Sequence, residues 1–342
     1  MGKKTAKTPA PAAPSATVHV VLPDARILQA ILKVAAAIVD DVRLVFKPTG
    51  LAIRAMDAGH VGLLAIDLPA SFFETCAVAE TTPWVVNIKD FSKVVARAGA
   101  GTALDLRITP EDAIYLQVGI LAGKRRRTFK VREVAQALTL PDNHDEKDAL
   151  VDQFTTDLAA QAGITVQFAS EMLAEILGDV GIVSDVVRME FDAVNKWFVF
   201  SAWDPTSTYQ QETKILTDDP GILDIKEHRE DFAILQGMYS ADLLGAFLQI
   251  KPVAKEMSFT MIPARGDKEG VAGGAMPLCM AATIMGSDLG TFKFALAPRT
   301  EENDDDLDEF DADSIESALE GEEFEVTEED MGDEDDGTEY AD

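Results

Sequence analysis

The chain repeats itself at a spacing of about 145 residues, and this constrains its fold more than any single motif. Val42-Arg43-Leu44-Val45-Phe46 returns as Val187-Arg188-Met189-Glu190-Phe191. Leu51 to Asp57, LAIRAMD, returns as Phe198 to Asp204, FVFSAWD, two residues further on than that spacing. A longer hairpin turn accounts for the difference, DAVNKW against KPTG. Thr128-Phe129-Lys130 returns as Thr291-Phe292-Lys293. Three matches in one order imply two copies of one structural plan.

Each copy carries helix signals in corresponding places. Ala25 to Val39 has an apolar stripe of Ile27, Leu28, Ile31, Leu32 and Ala35 after Pro23-Asp24. Its counterpart is Ser170 to Val180, with Ser170 expected as the N-cap. Ile88 to Ala98 and Tyr239 to Ile250 form a second corresponding pair. The remaining segments, such as ALDLRI, AIYLQVGI and RTFKVREV, alternate as strands. The expected fold class is α+β: two tandem domains, each with about two helices and a large antiparallel sheet.

Composition separates the ends from the middle. Residues 301–342 hold 23 Asp or Glu and no Lys or Arg, so the net charge of −30 is mostly a tail. Such a block repels itself and has little to bury, so 303–342 is expected to be disordered. Residues 1–16 form a basic, Pro/Ala-rich leader, also expected to be flexible. Between them lie a first domain at 17–134, a polar connector at 135–163 and a second domain at 164–302. Cys76 and Cys279 stand far apart with no CxxC pair, which argues against structural zinc and for a cytoplasmic chain.

Positive charge gathers on helix faces. Lys89, Lys93 and Arg97 repeat every four residues, Arg26 and Lys33 share a face of the first helix, and Lys251 and Lys255 follow the last. Such a stripe is either an ordinary solvated face or a surface for phosphates. Glu171, Glu175 and Asp179 make the corresponding face of the third helix acidic. No nucleophile, phosphate-loop or metal-ligand pattern occurs, and His19, His60, His144 and His228 lack ligand spacing. Asp57 and His60 could form an acid–base pair. However, Asp57 has a repeat partner in Asp204 and His60 has none, which favours a structural turn; no enzyme, cofactor or metal is expected.

AMDAGHVGL at 55–63, RRTFKV at 126–131, VSD at 183–185, GILDI at 221–225 and FALAPR at 294–299 follow in the order found in one known family. The chain resembles the DNA sliding clamps of the proliferating cell nuclear antigen (PCNA) family, archaeal type, across about 17–302. The resemblance implies two clamp domains per subunit in a homotrimeric ring, antiparallel sheets outside and helices lining a hole around duplex DNA. It implies a polymerase processivity factor and recruitment platform for replication and repair, cytoplasmic with the nucleoid or nuclear. Arg26, Lys33, Lys89, Lys93, Arg97, Lys251 and Lys255 would face DNA without reading bases.

Polymerase, flap endonuclease, ligase and clamp loader would dock short peptides in one pocket. By resemblance, Met56, His60, Val61 and Leu63 form one wall, Leu138 and Leu140 anchor the connector, and Leu296, Ala297 and Pro298 line a third side with Pro252 nearby. The ring would close between edge strands near Lys124–Val131 and Tyr209–Leu216. The acidic third helix, long connector, leader and tail depart from the family's pattern. Two other readings are a subunit of a heterotrimeric or specialised repair clamp, and an acidic interaction or chaperone protein acting through its tail.

Overall fold

The computed structural model describes residues 17–57, 59, 61–134, 160–203, 209–229, 232–263, 277–286 and 290–299. Among the described residues, nine strands in each half follow the same order around two helices. The first half comprises β1 (Val18–Leu22), α1 (Ala25–Ala35), β2 (Asp41–Lys47), β3 (Gly50–Met56), β4 (Gly62–Pro69), β5 (Thr75–Val78), β6 (Thr82–Asn87), α2 (Ile88–Val95), β7 (Ala103–Ile108), β8 (Tyr115–Ala122) and β9 (Arg125–Arg132). The second comprises β10 (Ile164–Ala169), α3 (Ser170–Val183), β11 (Val186–Asp192), β12 (Trp197–Trp203), β13 (Gln210–Leu216), β14 (Ile222–Glu227), β15 (Ile234–Ser240), α4 (Ala241–Phe247), β16 (Glu256–Met261), β17 (Leu278–Thr283) and β18 (Thr291–Leu296).

Strand pairing makes the repeat explicit. β1 pairs with β5 and β7, as β10 pairs with β14 and β16. β2 pairs with β3 and β6, as β11 pairs with β12 and β15. The first hairpin closes at Lys47 opposite Gly50 and the second at Asp192 opposite Trp197, which is the longer turn that shifts the spacing.

The halves are joined by one pairing: β18 lies antiparallel to β4, from Thr291 opposite Asp67 to Leu296 opposite Gly62. A nine-stranded sheet results, in the order β14-β10-β16-β17-β18-β4-β3-β2-β6. At this joint Leu63, Leu64, Ala65 and Ile66 are all buried, so β4 is covered on both faces. That is why its sequence reads as a continuous apolar run where a one-sided strand would alternate. Phe247 of α4 packs on Phe292 and Phe294 of β18, with ring centroids 5.6 and 6.0 Å apart, and fixes the helix to the sheet.

The helices make one layer: α2 packs on α1, α1 on α4 and the short 3₁₀ turn Leu248–Ile250 that follows it, and α4 on α3. Ser170 is the first residue of α3 rather than its cap; Ala169 takes that position without a side-chain bond. Asp24 does cap α1: it accepts from the Arg26 backbone N–H at 2.9 Å and pairs with the Arg26 guanidinium at 2.6 Å. Burial pushes the Asp24 carboxyl up, but the hydrogen bonds from Arg26 outweigh burial and hold its pKa below the ordinary 3.8. The carboxylate therefore stabilises the fold above that pH, and its contribution is lost as pH falls further. Asp24→Ala is expected to cost about 1–2 kcal/mol near neutral pH, shrinking at about pH 3, as read by chemical denaturation at both.

Candidate functional site

Side-by-side helices put the cations of the first half on one exposed layer. Arg26, Lys33, Lys89, Lys93 and Arg97 are all exposed there. Three of the seven expected cations already have carboxylate partners: Arg26 with Asp24, Lys93 with Asp90 at 2.8 Å, and Lys251 with Glu171 at 2.6 Å. Lys33, Lys89, Arg97 and Lys255 form no direct ion pair with a carboxylate among the described residues, although the Lys89 charge helps Lys93 to hold the Asp90 carboxyl below its ordinary pKa. The unpaired charge of the layer thus lies mainly in the first half.

A second feature is on the opposite side of the nine-stranded sheet. Leu64, Phe294 and Met280 face the main core, so their neighbours Leu63, Ala295 and Cys279 face away from it. With Ile262 they form a separate apolar row across β4, β18 and β17. Met56, 43% exposed, pairs with Leu63 at the end of β3. Val61 accepts a hydrogen bond from the Ala297 N–H at 2.7 Å, which binds the segment after β18 to the β3–β4 turn.

Asp57 belongs to that turn. Its Oδ1 accepts from the Gly62 N–H at 2.8 Å and its Oδ2 from the Gly59 N–H at 3.3 Å. These bonds give the carboxylate a structural use in holding the turn. His60, Leu138 and Leu140 lie outside the described residues.

Two expected groove residues sit elsewhere. Leu296 is wholly buried on the core face, paired between Leu278 and Gly62. Strand alternation puts Ala295 on the other side. Pro252 follows the 3₁₀ turn in the helix layer, and its neighbour Val253 accepts from the Met285 N–H, beyond the far end of β17. Pro277, just before Leu278, stands at the end of β17 nearer Ala297. Ala295 was legible from the period-two pattern of TFKFAL; Ile262, Pro277 and Cys279 come together only through strand pairing.

Burial pushes the Cys279 thiol up to about 12, with nearby Lys293 opposing it weakly. It is neutral at physiological pH, so alkylation at about pH 8 is expected to be at least about a hundredfold slower than for a free cysteine. Timed alkylation of the native and unfolded chain, followed by peptide mass analysis, checks this. Among the described residues no group of three His, Cys, Asp or Glu side chains is placed to hold a metal, and no helix is long and apolar enough to cross a membrane.

Residues 18–132 match the family model for the proliferating cell nuclear antigen, N-terminal domain. The DNA polymerase sliding clamp of Pyrococcus horikoshii is 28% identical over 284 residues, 83% of this chain and 99% of the relative. That of Thermofilum pendens is 27% identical over 289 residues, 83% of this chain and 100% of its own. The PCNA of Thermococcus kodakaraensis superposes with a TM-score of 0.64 at 20% identity, over 82% of this chain and 100% of that structure. A PCNA complex from Sulfolobus tokodaii gives 0.64 at 18% identity, over 82% and 99%. The chain is thus similar to the PCNA sliding clamps in sequence and shares their fold.

The clamp also leaves two relevant sheet edges open within the chain. Among the described residues, β9 pairs only with β8, and β13 only with β12. On the outer face of β9, Arg126 reaches buried Asp105 at 2.8 Å and Lys130 pairs with Asp112. Asp105 also holds Arg107 at 2.8 Å. His19 lies beside it; burial, then the Arg107 charge, hold the imidazole below its ordinary 6.5, so it is neutral at pH 7. On the helix side of β9, Arg127 donates to the Arg97 carbonyl at 2.9 Å.

Proposed function

We propose that this sliding clamp closes, as three copies, into a ring around duplex DNA and holds polymerase and other partners there without catalysing a reaction. The observation that carries the ring is the joint within the chain. β18 occupies the place in the second half that β9 has in the first, and β4 corresponds to β13. The pairing of β18 with β4 is therefore satisfied inside one chain, while its counterpart, β9 with β13, needs a second copy. Three copies is the number the family resemblance implies.

Within such a ring the helix layer would face DNA, with Lys33, Lys89 and Lys255 supplying phosphate contact. Residues 17–134 and 164–302 would be the two clamp domains, and 135–163 the connector. Partner peptides would seat on Met56, Val61, Ala297 and Pro298, which are partly exposed above the largely buried row of Leu63, Ala295, Cys279 and Ile262. His60, Leu138 and Leu140 keep the roles the resemblance implies. Each aliphatic or aromatic partner side chain buried there contributes roughly 1.5–3 kcal/mol, which suits exchangeable docking.

Light scattering tests the assembly. A mass near three times 36.9 kDa is expected. A monomer at tens of micromolar would overturn self-assembly and favour assembly with different partner chains, as in the PCNA2–PCNA3 complex from Sulfolobus tokodaii. Retention of labelled clamp on closed circular DNA, and its release on linearisation, then tests encirclement.

A further inference from the structure

The sheet β5-β1-β7-β8-β9 carries on its outer face a cationic array that neither the helix layer nor the apolar row uses. Strand alternation collects it. Leu106, Val118 and Val131 are buried in the core, so Asp105, Arg107, Gly119, Arg126, Lys130 and Arg132 face the other way. In cross-strand register Asp105 lies opposite Gly119, and Gly119 opposite Thr128.

Asp105 is 2% exposed, a carboxylate taken out of water on the solvent side of a sheet. Two guanidiniums cover it. Arg107 donates to it from Nε and Nη2 at 2.8 and 2.9 Å, and Arg126 pairs with it through Nη1 at 2.8 Å. Gly119 makes room for the second: a Cβ there would stand 3.2 Å from Arg126 Nη2 and 3.3 Å from its Nε. Both guanidiniums are thus held in place, yet their side chains stay 34% and 40% exposed. Nη1 of Arg107 and Nη2 of Arg126 make no hydrogen bond among the described residues.

The strands of this face set Arg107, Arg126, Lys130 and Arg132 against Asp105 alone. Glu111 and Asp112, in the turn after β7, still leave the cations in excess. Lys130 pairs with Asp112, whereas Arg132 is exposed and forms no ion pair among the described residues. In a ring, the adjoining β13 of the next copy would add exposed Glu212 and Lys214, one charge of each sign, and the excess would stand.

We propose that this face docks an acidic segment of a partner protein, with one carboxylate lying across Arg107 and Arg126 from the solvent side, as Asp105 does from beneath. The pair already grips one carboxylate, so its remaining donors are offered outward with little side-chain freedom left to lose on binding. The face points away from the helix side of β9, where Arg127 meets the Arg97 carbonyl, so encircled DNA would not reach it. Docking there needs neither DNA nor a second copy, and so goes beyond the ring.

Fluorescence anisotropy tests it with a short labelled peptide of alternating Glu and Gly, and a Gln-for-Glu peptide as control. The full chain is compared with R107Q, G119A and K33A/K89A/K255A, with circular dichroism verifying the fold of each. The Glu peptide is expected to bind the wild type at low salt, and the Gln peptide at least about tenfold more weakly. R107Q should weaken binding at least about fivefold. G119A keeps every charge and displaces only Arg126, and should weaken it at least about threefold. K33A/K89A/K255A should leave it unchanged. Equal binding by wild type, R107Q and G119A would overturn the site, as would loss of binding in K33A/K89A/K255A alone. A phosphoserine peptide of the same spacing bound at least about tenfold tighter than the Glu peptide would overturn the carboxylate assignment. Binding that depends on Arg107 in a chain found monomeric by light scattering would support the docking face while overturning the ring.

Discussion

Gly50→Val is expected to destabilise the clamp by about 3–5 kcal/mol, seen as a large fall in the urea midpoint. Gly50 has φ +140°, a region that L residues rarely adopt. A Cβ there would lie 2.0 Å from the Leu68 carbonyl oxygen and 2.9 Å from two backbone atoms of Pro69. These are main-chain atoms of the paired strand, with Gly50 opposite Pro69, so no side-chain rotation relieves the clash. β4 must move, and β4 is also the strand that joins the halves through β18. Gly123→Ala is the informative control. Gly123 also has positive φ, at +59°, but no atom lies within 4 Å of a Cβ placed there. Only the backbone cost remains, about 1–2 kcal/mol. Equal losses at the two positions would show that the joint is not what makes Gly50 costly.

The second large effect concerns DNA. K33A/K89A/K255A is expected to lower the slope of log affinity against log salt by about 2.7 for each copy of the ring that meets DNA, since each phosphate contact contributes about 0.9. R26A/K93A/K251A should change it by less than about 1 per copy, because cations already paired with carboxylates displace fewer counterions. Arg26, Lys93 and Lys251 have such partners in Asp24, Asp90 and Glu171. Binding of short duplex DNA over a salt series measures both. A larger loss from the paired set would mean that Asp24, Asp90 and Glu171 release their partners when DNA arrives.

The two variant sets cannot be told apart by charge patterning alone. All seven cations are Lys or Arg on or beside helices, and the spacing of Lys89, Lys93 and Arg97 reads as a single stripe. The distinction appears when side chains are placed: Asp90 takes Lys93, and Glu171 reaches Lys251 from a helix 80 residues away in sequence. A stripe read from helical period is therefore an upper bound on available charge.

Much else was already in the linear chain. The repeat, the two helices per half, the turn length difference and the Asp57 turn are local: each depends on side-chain period, capping or residues within a few positions. Pairings between distant strands are not local. That Ala295 meets Leu63, that Leu296 turns inward, and that Pro252 lies in the helix layer follow from the register of β4, β18 and β17. The resemblance named Leu296 beside Ala297 and Pro298, but register turns Leu296 into the core, because one residue of shift inverts every side chain of a strand.

The sequence by itself determined that the chain is a tandem repeat of one α+β plan, because apolar periodicity and turn chemistry act over short distances. Only the tertiary structure decided how the repeats meet. The pairing of β18 with β4 uses one copy of the joint inside the chain and leaves β9 and β13 as open edges. No local signal carries that difference: backbone hydrogen bonding makes both edges equally adhesive, and the chain's connectivity determines which pair is satisfied first.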